Sequence, residues 1–379
     1  MKIVYVVGGL YNLNGMSNIL IHKINYLAKN TNNELYIILT ERPDLPYCYD
    51  IDSKVNISNF NINFDELDTL PLLKKVRKYL YKKRLYKRLF KEYLFQIKPD
   101  ITISALRREI NFIIDFKDGS KKIGELHFNK NTYRNINIKY LPSFINKILT
   151  QLWLNNLINK INKLDKFIVL TEEDKKAWGD IKNIIVIPNF LSYFPEEGST
   201  LSSKKAIAVG RYTWQKGFDL LIKAWSNVHK FHPDWELHIY GTGDKSEYES
   251  LAIKENVNKT VYCHSAEKNI YKRYMQSSIF ILSSRYEGFM MVIPEAMSCG
   301  LAVVSFDCPC GPKDIINNNL DGFLVENGNI KELEEKINLL IEKEDLRKQM
   351  GNMAMKNIRR YNEENVMQQW IDLFNSITK

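Results

Sequence analysis

Residues 283–300 read SSRYEGFMMVIPEAMSCG, and this stretch decides the fold of the second half of the chain. It follows the apolar run SIFIL at 278–282, which has the length and β-branched content of a buried strand. It then enters a helix that takes Pro294 in its first turn, where a missing N–H costs little. A strand feeding a loop and then a helix is the repeating unit of a parallel α/β sheet. The loop carries Glu287 and Gly288, and the helix carries Glu295, eight positions after the first acid. Free N–H groups at such a turn favour an anion, while carboxylates accept hydrogen bonds from hydroxyls. The stretch therefore suits a ligand that carries both phosphate and hydroxyl groups, as a nucleotide sugar does.

Immediately downstream, CGLAVVSFDCPCGP at 299–312 is a second buried strand ending in a Gly-Pro turn. With that strand in place, Glu287, Gly288, Phe289 and Glu295 resemble the acidic motif of retaining glycosyltransferases of family 4, glycosyltransferase group 1. The resemblance covers most of residues 200 to 360 and, more thinly, the N-terminal half. It implies the α/β architecture called GT-B, two Rossmann-like α/β/α domains facing a cleft. The expected division is an acceptor-binding domain over 1–190 and a nucleotide-sugar-binding domain over 200–361. A final helix, 362–379, is expected to cross back to the first domain, with Val366, Trp370, Phe374 and Ile377 as its apolar stripe.

Upstream of the motif, KAIAVGRYTWQKGFDLLIKAW at 205–225 repeats the strand–loop–helix pattern, with Arg211 and Lys216 in the loop ahead of Gly217. The resemblance assigns Arg211 and Lys216 to the donor's diphosphate. Negative charge grows on that leaving group as the sugar bond breaks, so fixed cations favour the transition state over the ground state. It further assigns Glu287 to the donor sugar, Glu295 to the ribose hydroxyls, and Gly288, Phe289, Met290 and Met291 to the backbone cradle around the phosphates. Ser265 and Ala266, after the strand TVYCHS, are expected beside the nucleobase. With two cations and a helix terminus on the diphosphate, no metal and no cofactor is expected. The Asp50-x-Asp52 pair sits in an unrelated loop and reads as chance.

The first half opens with KIVYVV as a strand, a glycine-containing loop, a helix over 16–30, and the strand ELYIILT. The loop lacks GxGxxG, so no dinucleotide fingerprint is present. By resemblance this loop lies near the donor phosphates and the acceptor, which points to Gly15 and Met16. The strand at 121–125 ends near Glu125-Leu126-His127. Relatives place a histidine there that meets the donor sugar, so His127 is a candidate catalytic residue. Residues 139–164 have Phe144, Ile148, Leu152, Leu157 and Ile161 at helical spacing, which reads as core. Thr171 and Asp174 form a capping pattern with Asp in the usual Glu position.

Residues 71–98 form a basic helix, with ten Lys or Arg between 74 and 91 and Glu92 as the single acid of the stretch. Such a helix suits an anionic lipid surface, where each cation contributes about 1 kcal/mol. No nucleic-acid motif accompanies the charge. The net charge is +10 and apolar content is 45%, ordinary for a folded protein with an anionic partner. No apolar run reaches the ~18 residues of a membrane span. The N-terminus lacks the pattern of a signal peptide. Five cysteines without a CxxC pair favour free thiols in a reducing compartment.

The expected activity is transfer of a hexose or N-acetylhexosamine from a nucleotide sugar, UDP by family frequency, with retention. The expected acceptor is a glycan or a polyprenyl-diphosphate-linked intermediate of cell-surface polysaccharide such as capsule or O-antigen. The expected location is the cytoplasm, peripheral on the inner face of the membrane. A GT-B-type nucleotide-sugar epimerase, which turns over donor without acceptor, and a non-catalytic nucleotide-sugar-binding protein are the alternatives.

Overall fold

The computed structural model describes residues 1–12, 15–133 and 142–378. Short apolar runs alternate with amphipathic helices along the chain, and each run becomes one strand of two all-parallel sheets. The first sheet holds β1 (Lys2–Val6), β2 (Glu34–Leu39), β3 (Val55–Asn59), β4 (Ile101–Ser104), β5 (Lys121–Glu125), β6 (Lys166–Val169) and β7 (Ile184–Val186). The second holds β8 (Lys205–Val209), β9 (Glu236–Gly241), β10 (Val261–Ser265), β11 (Ile279–Leu282), β12 (Ala302–Phe306) and β13 (Gly322–Val325). Their spatial orders are β3-β2-β1-β4-β5-β6-β7 and β10-β9-β8-β11-β12-β13.

Both sheets are wound outward from an inner strand. In the second, β8 pairs β9 on one side and β11 on the other, with Ile279 opposite Ala206. The loops after β8 and β11 therefore leave the sheet side by side at the point where winding reverses, which is where open α/β sheets bind ligands. The chain divides into one unit of Met1–Leu170, Ala177–Ile187 and Met367–Lys379 and another of Thr171–Lys176 and Pro188–Val366.

In the second unit the alternate faces of the strands are buried on both sides, as a doubly covered parallel sheet requires. Trp225, Leu237, Ile239, Val304 and Leu333 fill one face, and Tyr274, Phe280, Ile293 and Met297 the other. Each such side chain is worth about 1.5–3 kcal/mol of transfer free energy. The core of the first unit is aromatic: Tyr86, Phe90, Phe112 and Phe116 pack edge to face and stacked, in one cluster with Val4 and Val6 of β1, Ile38 of β2, and Phe167 and Val169 of β6. All five cysteines are free. No helix among the described residues is long and apolar enough to cross a membrane.

One expectation needs correction. Phe144, Ile148 and Leu152, read as core, are 62%, 54% and 61% exposed; of that stripe only Leu157 and Ile161 are buried. The helix runs Ser143–Ile161, and only its C-terminal half lies over the sheet; residues 139–141 of the expected helix fall outside the described residues. The basic helix forms as Leu72–Ile97 and ends on Lys98 in the left-handed region. Its apolar residues divide between core and surface: Tyr86, Phe90 and Leu94 are buried, while Leu72, Leu73, Val76 and Leu80 are exposed. β3 is the strand the sequence reading lacks; its VNISN run alternates but holds only two apolar residues, Val55 and Ile57, and it lies at the sheet edge, paired only with β2.

Candidate functional site

The site is built on the two neighbouring loops of the second sheet. After β8 the chain makes one short turn, Trp214–Lys216, and reaches Gly217 at φ 62° before the helix Phe218–Phe231 begins. A Cβ at Gly217 would stand 2.0 Å from the carbonyl oxygen of Ser283, just past β11, so only glycine lets the loops close. The Ser283 hydroxyl donates to the Lys216 carbonyl at 2.9 Å, and the Arg285 N–H donates to the Gln215 carbonyl at 2.8 Å. Gln215 Nε2 donates to the Tyr286 carbonyl at 2.9 Å and lies 3.4 Å from Glu287 Oε2.

This stitching delivers Lys216 Nζ to 2.6 Å from Glu287 Oε1, with the two side chains 13% and 8% exposed. Two residues expected on different parts of a ligand thus satisfy each other. Arg211, on the same loop, is exposed, and its guanidinium has no partner among the described residues.

Glu295 lies on the helix Val292–Ser298, and its Oε2 accepts from the Tyr274 hydroxyl at 3.2 Å. Burial pushes its carboxyl above the usual range, and the tyrosine hydroxyl only partly opposes this. The helix is two turns long with Pro294 inside it, so its dipole is small and the two cations are the stronger anion ligands. Phe289 packs edge-on against Tyr361 at 5.8 Å, Met290 is 4% exposed above Gly311, and Met291 precedes the helix. The Phe289 and Met290 side chains are thus turned into packing.

Ser265 closes β10 and, like Ala266, is exposed. Ser265 lies on the rim of an open cavity of about 300 Å3 that His238, Tyr240, His264 and Arg273 also line. The Tyr240 and His264 rings stack at 4.4 Å.

In the first unit Gly15 and Met16 begin the helix Gly15–Asn30, with Gly15 exposed and Met16 half-buried; residues 13 and 14 of their loop lie outside the described residues. His127 follows β5, and its Nε2 lies 3.2 Å from Glu125 Oε1. Its side chain is 4% exposed and both ring nitrogens are inaccessible, so the imidazole turns inward rather than presenting a nitrogen to a sugar hydroxyl. The cause is the buried carboxylate beneath it. Lys23 Nζ binds the same Glu125 oxygen at 2.5 Å and rests 3.8 Å from the Trp370 ring centroid. Burial alone would raise the Glu125 carboxyl, but Lys23 and His127 beside it hold it down to about 2.

Sequence reasoning passed over Lys23, Gln215 and Ser284, whose hydroxyl, just past β11, is buried without a partner among the described residues. Lys23 carried a signal: it stands between Ile19 and Leu27 on the buried face of its helix, where a cation needs a partner. Gln215 carried none beyond its place before Lys216.

Residues 191–357 match the model of the family glycosyl transferases group 1. An uncharacterized glycosyltransferase of Haemophilus influenzae is 33% identical over 227 residues, 57% of this chain and 64% of that protein. The amylovoran biosynthesis glycosyltransferase AmsD of Erwinia amylovora is 34% identical over 223 residues, 56% of this chain and 62% of that protein. The matched region thus spans under two thirds of these relatives. A mutant of S. aureus TarM, solved with fondaparinux, alpha-GlcNAc-glycerol and UDP, superposes with a TM-score of 0.73 at 18% identity, covering 99% of each chain. Its likeness speaks to fold. Residues 191–357 thus resemble the glycosyl transferases group 1, and the chain shares the GT-B fold of its structural neighbours.

Proposed function

We propose that the chain is a retaining glycosyltransferase. In this reading it moves a hexose or N-acetylhexosamine from a UDP-sugar to a hydroxyl of a glycan or polyprenyl-diphosphate-linked acceptor, in cell-surface polysaccharide synthesis. One observation carries it: the contact between Lys216 and Glu287, 2.6 Å apart, made by adjacent loops at the switch point of the second sheet.

A diphosphate offers Lys216 a more highly charged partner than a single carboxylate. As Lys216 turns to it, Glu287 becomes free to accept hydrogen bonds from sugar hydroxyls and to face positive character on the ring. Arg211 can meet phosphate oxygens in bidentate fashion, Lys216 as a point charge. Both stabilise the departing diphosphate as its charge grows, so no divalent ion enters this reading. Glu295 takes the ribose hydroxyls; its burial makes an unpaired carboxylate costly there and a doubly hydrogen-bonded one favourable.

The Erwinia relative's name, amylovoran biosynthesis, supports a polysaccharide product, and the UDP held by TarM supports the donor class. The basic helix Leu72–Ile97, with Leu72, Leu73 and Val76 exposed among its cations, supports a peripheral position on the inner face of the cell membrane, beside a lipid-linked acceptor.

The test is UDP release from a panel of UDP-sugars with and without glycan acceptors, alongside calorimetric binding of UDP. Lys216→Ala is expected to lose at least about a hundredfold in turnover while keeping its circular dichroism spectrum. Unchanged turnover in that variant would remove Lys216 from the site, and with it the proposed role of the contact.

A further inference from the structure

The loop that carries Arg211 and Lys216 also carries Trp214, and nothing above uses it. Of the six tryptophans, Trp178, Trp225, Trp235 and Trp370 are buried and Trp153 is half-buried, whereas Trp214 is 64% exposed. Its mounting is rigid. The Arg285 guanidinium lies 4.5 Å from the indole centroid and donates to the Trp214 carbonyl at 2.6 Å. That guanidinium is itself held by both oxygens of Asp219, at 2.8 and 2.7 Å. Tyr286, the residue before Glu287, stands 6.4 Å from the indole at a tilt of 50°. One side of the ring is thus backed by a fixed cation, while much of the rest is open, and the indole N–H has no partner among the described residues.

We propose that Trp214 is the stacking platform of a carbohydrate subsite, binding the apolar face of a pyranose ring beside the Lys216–Glu287 contact. This deepens, and rests on, the reading of that contact as part of a sugar-transfer site. The electron-rich face of an indole attracts the weakly positive axial C–H groups of a pyranose. The indole N–H and the nearby Gln215 and Asn327 amides supply partners for its hydroxyls. Asn327 already donates to the Arg285 carbonyl at 3.0 Å, which keeps its oxygen available. A lipid surface is a poorer fit, because no other large exposed apolar residue among the described ones lies on these loops.

The experiment is fluorine NMR of the full chain labelled with 5-fluorotryptophan, the Trp214 signal being assigned from Trp214→Phe. The probes are methyl α-glucopyranoside, methyl α-galactopyranoside, methyl N-acetyl-α-glucosaminide, sorbitol as an open-chain control, and uridine. A saturable shift of the Trp214 signal with at least one pyranoside and none with sorbitol is expected. Read by saturation-transfer difference NMR of the pyranoside protons, since these variants lack the Trp214 reporter, Trp214→Ala should weaken that pyranoside about tenfold, Trp214→Phe less, and UDP affinity should stay within about twofold in both. No shift with any pyranoside, or equal pyranoside binding by Trp214→Ala, overturns the platform. A shift with uridine stronger than with every pyranoside overturns it in favour of a nucleobase. Failure of UDP to bind while the pyranoside shift persists refutes the transferase reading and leaves the platform standing.

Discussion

Replacing Lys23 with methionine gives the sharpest electrostatic test of the first unit. Lys23 and Glu125 are 2% and 3% exposed, and the ammonium is the closest charge to a carboxylate that cannot reach water. In the intact pair the Glu125 carboxyl is held near 2 against a reference of 4.5. That difference favours the folded state at neutral pH, opposed by burial of the Lys23 ammonium, whose own pKa is lowered. The sign of the carboxyl's contribution follows from the direction of its shift: the contribution is complete above pH 4.5 and fades as the pH falls toward 2. Without Lys23, burial, the largest influence on this carboxyl, is opposed by His127 alone, and the carboxyl rises. Lys23→Met should therefore cost about 3–5 kcal/mol at pH 7, the usual cost of stranding one buried charge. It should also regain stability on acidification, where the intact protein loses it. Lys23→Met combined with Glu125→Gln should recover much of the loss, because no charge is then stranded. Two units make global unfolding a poor two-state transition, so the readout is hydrogen exchange of peptides over 121–127 between pH 7 and 4. A loss below about 1 kcal/mol, or a pH trend of the same sign as the intact protein, refutes the account.

Two further outcomes follow from the same chemistry. Glu295→Gln should stabilise the second unit at neutral pH and much less below pH 4.5, since burial penalises the ionised carboxyl only once it ionises; thermal melts across that range check it, and a pH-independent effect would contradict it. Leu73→Glu with Val76→Glu, at positions 86% and 50% exposed, should leave the fold intact and abolish co-sedimentation with anionic vesicles, which in the intact chain should weaken with salt; equal binding by both proteins would return the helix to a solvated face.

What could be read from the sequence was what neighbouring residues determine. Strands such as β11 and β12 are four or five apolar residues between turn signals, so period and length suffice. The helix Leu72–Ile97 was equally plain, but which half of it is buried was not. Periodicity marks an apolar stripe without saying how far the sheet extends beneath it, and the same blindness put Phe144 and Ile148 in the core. β3 escaped because an edge strand has one partner, and its alternation rests on only two apolar residues, Val55 and Ile57.

The site shows the limit more exactly in terms of distance along the chain. Arg211, Lys216, Glu287 and Glu295 were recognisable from residue type and spacing, each within its own loop or helix. That Lys216 bonds Glu287 was not recognisable, because the two stand 71 positions apart with three strands between them, and the contact exists only because β8 and β11 pair directly while β9 and β10 are wound to the other side. Strand order is a property of how helices cover the sheet, not of any local pattern. The consequence is chemical. A lysine and a glutamate read separately look like two ligands for two parts of a substrate; joined, each holds the other in place until something more highly charged competes. The same logic applies to Lys23 and Glu125, where burial is complete and no competitor can enter. One kind of pair, half-screened at a loop junction, can exchange partners; the other, sealed under Trp370, can only hold His127 where it stands.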